Sequence, residues 1–267
     1  MRLAALLVGF LILTGCTRPR AVPLHRIVSD NPCVDAILAD VADASQIGAI
    51  SHYSQDPRAR SVPLAWASRF PAIGGTAEEI IAAQPSLYLT GAPMNPATSA
   101  VVAKAGIKVL AIGVPNSTAE SEAQIRTVAA AIGRTSAGER LIAEIETASH
   151  AAAPTGRAAL FYQGGGLILG EHTLADDELV HAGFTNAARR YGSKAWDVQP
   201  IETVIMTPPD LILAPHTAQG EEALGLSQLR RALHGHVRVA DFSPQLLYCG
   251  ARSIIQARQR LDAVRHS

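Results

Sequence analysis

Apolar positions along the chain repeat with two alternating periods. In Cys33–Ala42, the residues Val34, Ile37, Leu38 and Val41 fall three and four apart, which puts them on one face of a helix. The runs on either side, His25–Ser29 and Gln46–Ile50, are short and rich in β-branched side chains, as buried strands are. The same passage from helix to strand recurs at Ser99–Ala105 and Ile107–Ile112. Helices alternating with short buried strands predict an α/β fold with mainly parallel sheets. His52–Arg69, rich in Ser, Pro and Arg, reads as a loop region.

One stretch is written twice. Thr76–Gly91 and Pro200–Pro215 share a frame in which Glu78, Ile80, Ile81, Pro85, Leu87 and Leu89 fall on Glu202, Val204, Ile205, Pro209, Leu211 and Leu213. Each copy reads as a helix opened by an acidic residue, stopped at a proline and followed by a buried strand. A repeat of this kind predicts two similar lobes, with a glutamate at a corresponding place on each. Thr76 as N-cap makes Glu79 the partner in a capping box and leaves Glu78 pointing outward. A carboxylate in a first helical turn is also favoured by the macrodipole alone.

Between the copies the pattern turns helical. Ser121–Ile132 ends at Gly133, and Ser136–Ala151 opens with Ser136 and Glu139 as a second capping box and closes before Pro154. The second helix reads as a strut between two halves. The strand Arg157–Tyr162 and the glycine run Gly164-Gly165-Gly166 restart the α/β pattern. It continues through a helix at Asp176–Ala182, an irregular segment to Gln199, a helix near Gly225–Leu233, the strand Val237–Ala240 and a terminal helix Ser253–Val264. The predicted organisation is a leader at 1–15, a tether at 16–23, an N-terminal lobe at 24–134, a connecting helix at 135–153 and a C-terminal lobe at 154–267, with the ligand cleft between the lobes.

The start of the chain has its own chemistry. Arg2, the apolar run Leu3–Leu13 and the ending Leu13-Thr14-Gly15-Cys16 form an export signal too short to span a bilayer, which needs about 20 residues. The Leu-Thr-Gly-Cys ending resembles the bacterial lipobox, which implies cleavage before Cys16 and lipidation of that cysteine. Lys plus Arg equals Asp plus Glu, at 23 each. Balanced charge gives no long-range pull on nucleic acid or an anionic membrane, so neither is expected as a partner of the domain.

Candidate ligand contacts are the residues that follow strand runs, where clefts form in parallel α/β sheets. These are Cys33, His52, Tyr53, Tyr162, Gln163, Tyr248 and Cys249, joined by Trp66 and Trp196 in irregular segments. Aromatic residues are only 4% of the chain, so those in loops stand out as flat contact surfaces, with capping of the core as the lesser alternative for Trp196 and Tyr248. Arg69 and Arg252 are candidate anion partners, against the commoner case of surface arginines. Cys33 and Cys249 allow three states: a soft ligand pair for a metal centre together with His52, a disulfide that would tie the lobes across the opening, or two inert buried thiols. No CxxC or HxxxH spacing signals a resident metal, the glycine run lacks the order of a dinucleotide site, and no GxSxG elbow is present. No cofactor and no catalytic residue is expected.

The stretches RIVS, NPC and DAIL, IGAISHYSQDP, FPAIGG, the two Glu–Pro units and LILGEHTLADDELVHAGFTNAA resemble the class III periplasmic substrate-binding proteins, in the iron-chelate and vitamin B12 group. The resemblance spans Arg26–Leu261 as a spread pattern. It implies a monomeric, lipid-anchored periplasmic component of an ABC importer that hands its ligand to a permease/ATPase complex in the inner membrane. It further implies that Glu78 and Glu202 dock on permease arginines, and that the ligand is a cobalamin-like corrinoid, a ferric siderophore or heme. Neutral overall charge and few candidate cleft arginines favour a corrinoid over a strongly anionic siderophore. The competing function is an extracytoplasmic metal-handling protein or enzyme using Cys33 and Cys249 on the same scaffold.

Overall fold

Residues 26–148, 152–216 and 221–267 are described by the computed structural model, with the backbone alone for 221–223. The leader, the whole tether including Cys16, and residues 149–151 of the expected connecting helix lie outside the described residues. The first half runs β1 Ile27–Ser29, α1 Pro32–Val41, β2 Ile47–Ser51, α2 Leu64–Ala67, β3 Ala72–Ile73, α3 Ala77–Ala83, β4 Leu87–Thr90, α4 Pro96–Lys104 and β5 Lys108–Ala111. Its five strands form one parallel sheet in the order β3-β2-β1-β4-β5. Every residue of β1 and β4 is buried, as central strands covered on both faces must be.

Two helices follow, α5 Thr118–Ala131 and α6 Thr135–Thr147. The second half runs β6 Ala158–Phe161, β7 Leu167–Leu169, α7 Leu174–His181, β8 Thr185–Asn186, β9 Trp196–Val198, α8 Ile201–Met206, β10 Leu211–Ala214, α9 Glu221–Ala232, β11 Arg238–Asp241 and α10 Arg252–Arg265. Its parallel sheet has the order β11-β10-β6-β8. A small antiparallel pair joins β7 to β9, and β9 lies in what reads in the sequence as an irregular segment.

The written-twice stretch is a structural repeat. β4 sits between β1 and β5, and β10 sits between β6 and β11, so the second sheet repeats the middle of the first. Ile80 and Val204, matched in the repeat, are both fully buried. Thr76 and Glu79 close the expected capping box at the start of α3, and Glu78 is exposed beside it. Gly133, at φ +71°, takes the left-handed position just after α5 that a residue with a Cβ would resist. The second capping box does not form. Helix α6 begins two residues earlier than the expected cap at Ser136, with Arg134 at the N-cap and no side-chain cap, and Glu139 pairs instead with Arg126 across to α5 at 3.1 Å.

Helix α6 is embedded, not free-standing. Its buried face, Leu141, Ile142 and Ile145, joins Val34, Ile37, Leu38 and Val41 of α1 and Ile125 and Val128 of α5 in one apolar cluster. A second link between the lobes is α10. Ala251 and Ile254 at its start belong to the first lobe's cluster, while Ala257, Leu261 and Val264 further along belong to the second lobe's. Packing therefore divides α10 between the lobes, where a boundary at 154 would give it whole to the second.

Candidate functional site

A cavity of about 1310 Å³ opens between the two lobes. Its walls are loops that leave the C-terminal ends of parallel strands, where a right-handed β–α crossover leaves a crevice. The first lobe supplies Asn31 and Cys33 after β1, Tyr53 and Asp56–Ala59 after β2, and Val114 beyond β5. The second supplies Gln163 and Gly164 after β6, His216 after β10, and Asp241–Leu246 at and after β11, with Tyr248, Cys249 and Arg260.

Cys33 and Cys249 are joined in a disulfide, with Cα atoms 4.9 Å apart. Their sulfurs are therefore not thiolates, and the soft metal-ligand pair is not present in this state. Nor does the bond cross an opening. Both cysteines are buried in the same apolar cluster, where α1 meets the chain entering α10, so the bridge lies along the cavity wall. Asn31 prepares this wall: its side chain caps α1 by accepting from the Cys33 amide, and its amide donates to the Ile112 carbonyl at 2.9 Å.

Tyr53 stands on a single 3-10 turn, His52–Gln55, and is 49% exposed. His52 does not line the cavity. Its ring stacks beside Tyr53 with centroids 4.0 Å apart, and its Nδ1 lies 3.2 Å from the Ile73 carbonyl oxygen. Asp35 lies under this turn. Burial pushes its carboxyl up to about 7, against hydrogen bonds from the Ser54 hydroxyl and the Ser51 amide that pull the other way.

The other proposed contacts divide. Gln163, Tyr248 and Cys249 line the cavity. Trp66, on α2, packs against the first lobe's core and stacks on Phe70 with centroids 5.0 Å apart. Tyr162 is buried in the second lobe's core and faces a separate cavity of about 300 Å³. Trp196 is exposed on β9, away from the cleft lining. Arg252 is held by Asp40 at 2.5 Å and Glu144 at 2.9 Å, and Arg69 sits over the Phe70 ring. Of the glycine run, Gly164 borders the cleft, and Gly165 and Gly166 line the smaller cavity. Gly166, at φ +80°, turns so tightly that an added Cβ would meet the Gln199 carbonyl oxygen at 2.6 Å.

Several lining residues escape the sequence reading. His216 Nδ1 lies 2.7 Å from Asp241 Oδ2, and Arg230 donates to Asp241 Oδ1 at 3.0 Å. Burial raises the Asp241 pKa, but the bonds from Arg230 and His216 outweigh it and hold the carboxyl below its ordinary value. Arg260 donates twice to the Asp241 backbone carbonyl, and Arg58 lines the first lobe's side. The signal for His216 is its place just beyond the strand Leu211–Ala214, the criterion that selected Tyr53. Among the described residues, no group of three or more His, Cys, Asp or Glu side chains could hold a metal ion. The site has the chemistry to bury a large flat ligand between two walls, offer it a phenol and an imidazole, and meet anionic groups with Arg58 and Arg260.

Known proteins share this architecture. A family model described as periplasmic binding protein matches residues 27–230. The periplasmic heme-binding protein RhuT from Roseiflexus sp. RS-1, in apo form, is 23% identical with a TM-score of 0.68 over 90% of this chain and 96% of its own. The periplasmic heme-binding protein HutB of Vibrio cholerae is 17% identical with a TM-score of 0.74 over 91% and 99%. A periplasmic heme-binding protein from Pseudomonas aeruginosa is 19% identical with a TM-score of 0.67 over 90% and 92%. No curated protein matches the chain. At these identities the solved structures speak for the fold, two parallel α/β lobes around a cleft, and the family match covers most of the chain. The chain belongs to the periplasmic binding protein family, with the fold of its class III members.

Proposed function

We propose that this chain is the extracytoplasmic substrate-binding component of an ABC importer and that its cargo is a tetrapyrrole chelate of the heme class. The observation that carries the cargo is the pairing, in one cavity, of the Tyr53 phenol from one lobe with the His216 imidazole from the other. Asp241 at His216 Nδ1 fixes the ring and directs the remaining nitrogen, Nε2, to a metal, as carboxylates behind metal-binding histidines do. Arg58 and Arg260 supply cations for a ligand's carboxylates, which removes the reason for favouring a corrinoid. The heme-binding names of the structural relatives agree with this cargo. Capture needs burial and axial contact only, with no covalent step. The lipobox-like ending at Cys16 supports a lipid anchor that holds a monomer at the membrane.

Ferric heme and cobalamin, titrated separately into the leader-free chain and followed by absorbance, test the cargo. Heme is expected to bind with a shifted Soret band, and Tyr53→Ala and His216→Ala are each expected to weaken it about tenfold, about 1.4 kcal/mol. Binding of cobalamin in place of heme, or of neither, overturns the cargo assignment.

For delivery, we propose that Glu78 and Glu202 meet cationic side chains of the permease. Both are exposed in the first turn of matched helices, α3 and α8, one on each lobe. Exposed pairs contribute about 0–1 kcal/mol each, so they set orientation and encounter rate more than affinity. The Glu78→Ala/Glu202→Ala protein is expected to bind cargo normally while uptake through the reconstituted importer falls several-fold, with wild-type uptake weakening as salt rises. Unchanged uptake would remove the docking role from both glutamates.

A further inference from the structure

One buried carboxylate holds the turn that carries Tyr53. Asp35 on α1 is fully buried, and its Oδ2 accepts from the Ser51 amide at 2.9 Å and from the Ser54 hydroxyl at 2.6 Å. Ser51 is also the N-cap of the turn His52–Gln55, its hydroxyl accepting from the Tyr53 amide at 3.3 Å. A single oxygen therefore grips the turn on both sides of Tyr53. The second oxygen, Oδ1, is buried with no hydrogen-bond partner.

Among the described residues, no cation balances this carboxyl. Its polar neighbours are the hydroxyls of Ser29 at the end of β1 and Ser54 on the turn and the backbone amide of Ser51 on β2, and the charged group acting on it is Asp30, which opposes ionisation. Ser29 gives its proton to the Asn31 carbonyl. The charged groups that α6 and α10 turn towards α1, Glu144 and Arg252, gather at Asp40 instead. Arg134, just ahead of α6, reaches the Val41 carbonyl and Asp43 beyond the end of α1. On the turn itself, His52 faces the Ile73 carbonyl.

We propose that Asp35 is the positioning residue of the cargo cleft: protonated, it seats the turn His52–Gln55 with Tyr53 in the cavity wall, and ionised, it releases that turn and weakens capture. An ionised carboxylate buried without a counter-ion draws water to its bare oxygen, and the structure beside it gives way where least is packed. That place is the turn, whose His52 and Tyr53 are exposed, whereas α1 is buried along most of its length. The direction follows from linkage. A carboxyl raised to about 7 in the folded protein, from about 3.8, favours the seated state fully below pH of about 4, and the advantage is lost as pH rises through about 7.

The capture half of this proposal rests on the cavity being the cargo site; the positioning half does not, and the experiment separates them. Amide hydrogen exchange of residues 51–56 is measured in the cargo-free protein at pH 6 and pH 8, for wild type and Asp35→Asn, with the ratio between the proteins cancelling the intrinsic pH effect. Wild-type protection relative to Asp35→Asn is expected to fall about threefold or more between the two pH values. Ser54→Ala, which removes one of the two bonds and leaves the carboxyl in place, is expected to lower protection at pH 6. Heme affinity of the wild type is expected to fall in parallel, against a flat profile for Asp35→Asn. Equal protection in wild type and Asp35→Asn at both pH values, or unchanged protection in Ser54→Ala, overturns the proposal. A pH-dependent turn with no heme binding at either pH retains Asp35 as the positioning residue and overturns the heme cargo instead.

Discussion

Replacing Cys33 and Cys249 together by serine is expected to lower the stability of the protein by about 3–5 kcal/mol. The bridge joins residues 216 apart, so it closes almost the whole described chain into one loop. Chain entropy grows only with the logarithm of loop length, which puts the ceiling near 5 kcal/mol even for a loop this long. Both sulfurs lie in a packed cluster with α1, α6 and the start of α10, so the serine hydroxyls would also be buried among apolar groups. For a domain of this size the loss corresponds to a midpoint lower by about 10 °C. Thermal unfolding with and without reductant checks it: reduced wild type and the double serine protein are expected to melt together, well below the oxidised protein. A midpoint indifferent to reductant would show that the bridge constrains nothing the packing does not already hold. The capture effect is expected to be smaller, because Cys33 also lies at the capped start of α1, where Asn31 holds the backbone independently.

The fold was legible because its signals are local and repeated. The frame shared by Ile80–Leu89 and Val204–Leu213 is a packing pattern, helix face then buried strand, and two copies of one pattern demand two similar sheets. The role of α10 was not legible. Its apolar positions, Ile254, Ala257, Leu261 and Val264, have ordinary helical spacing, and no spacing says which lobe each will face. The failed capping box at Ser136 is of the same kind. Ser136 is a good helix opener on paper, yet the helix opens at Arg134, where α6 packs closely on α5 and a Cβ added at Gly138 would meet Ala129.

At the candidate site, taking the residues that follow strand runs brings Cys33, Tyr53, Gln163, Tyr248 and Cys249 to one cavity, and also selects His52 and Tyr162, which do not line it. Scarcity of aromatic residues was a poor guide. Trp66 is half-buried because α2 turns it onto Phe70 against the first lobe's core, and Trp196 stands exposed on β9 away from the cavity. The His216–Asp241 pair depends on two strand ends lying side by side, β10 against β11 with Ala214 opposite Asp241, and that register exists only in the folded sheet.

A second large effect is expected where the two lobes are pinned. Glu178 on α7 is fully buried and paired with Arg258 on α10 through two bonds, 2.9 Å from Nε to Oε2 and 3.0 Å from Nη2 to Oε1. Arg258 also donates to Thr118 at the start of α5 at 2.8 Å and to the Ile145 carbonyl on α6 at 3.4 Å. Thr118 in turn donates its amide and hydroxyl to Asp177, at 2.8 and 2.7 Å. Four helices from both lobes thus meet on one guanidinium. Burial raises the Glu178 carboxyl above its ordinary value despite the arginine beside it, so desolvation outweighs the attraction. Such a pair adds little net stability, yet removing one partner strands the other charge. Glu178→Ala is expected to cost about 3–5 kcal/mol in urea unfolding, and Glu178→Leu/Arg258→Met much less, since both charges go together. If the pair merely filled space, the single and double changes would cost alike. If it also sets the limited hinge motion that two inter-lobe helices imply, distances between spin labels on the two lobes will broaden in Glu178→Ala under conditions where the protein stays folded. An unbroadened distribution would leave α6 and α10 packing as the restraint on the cleft.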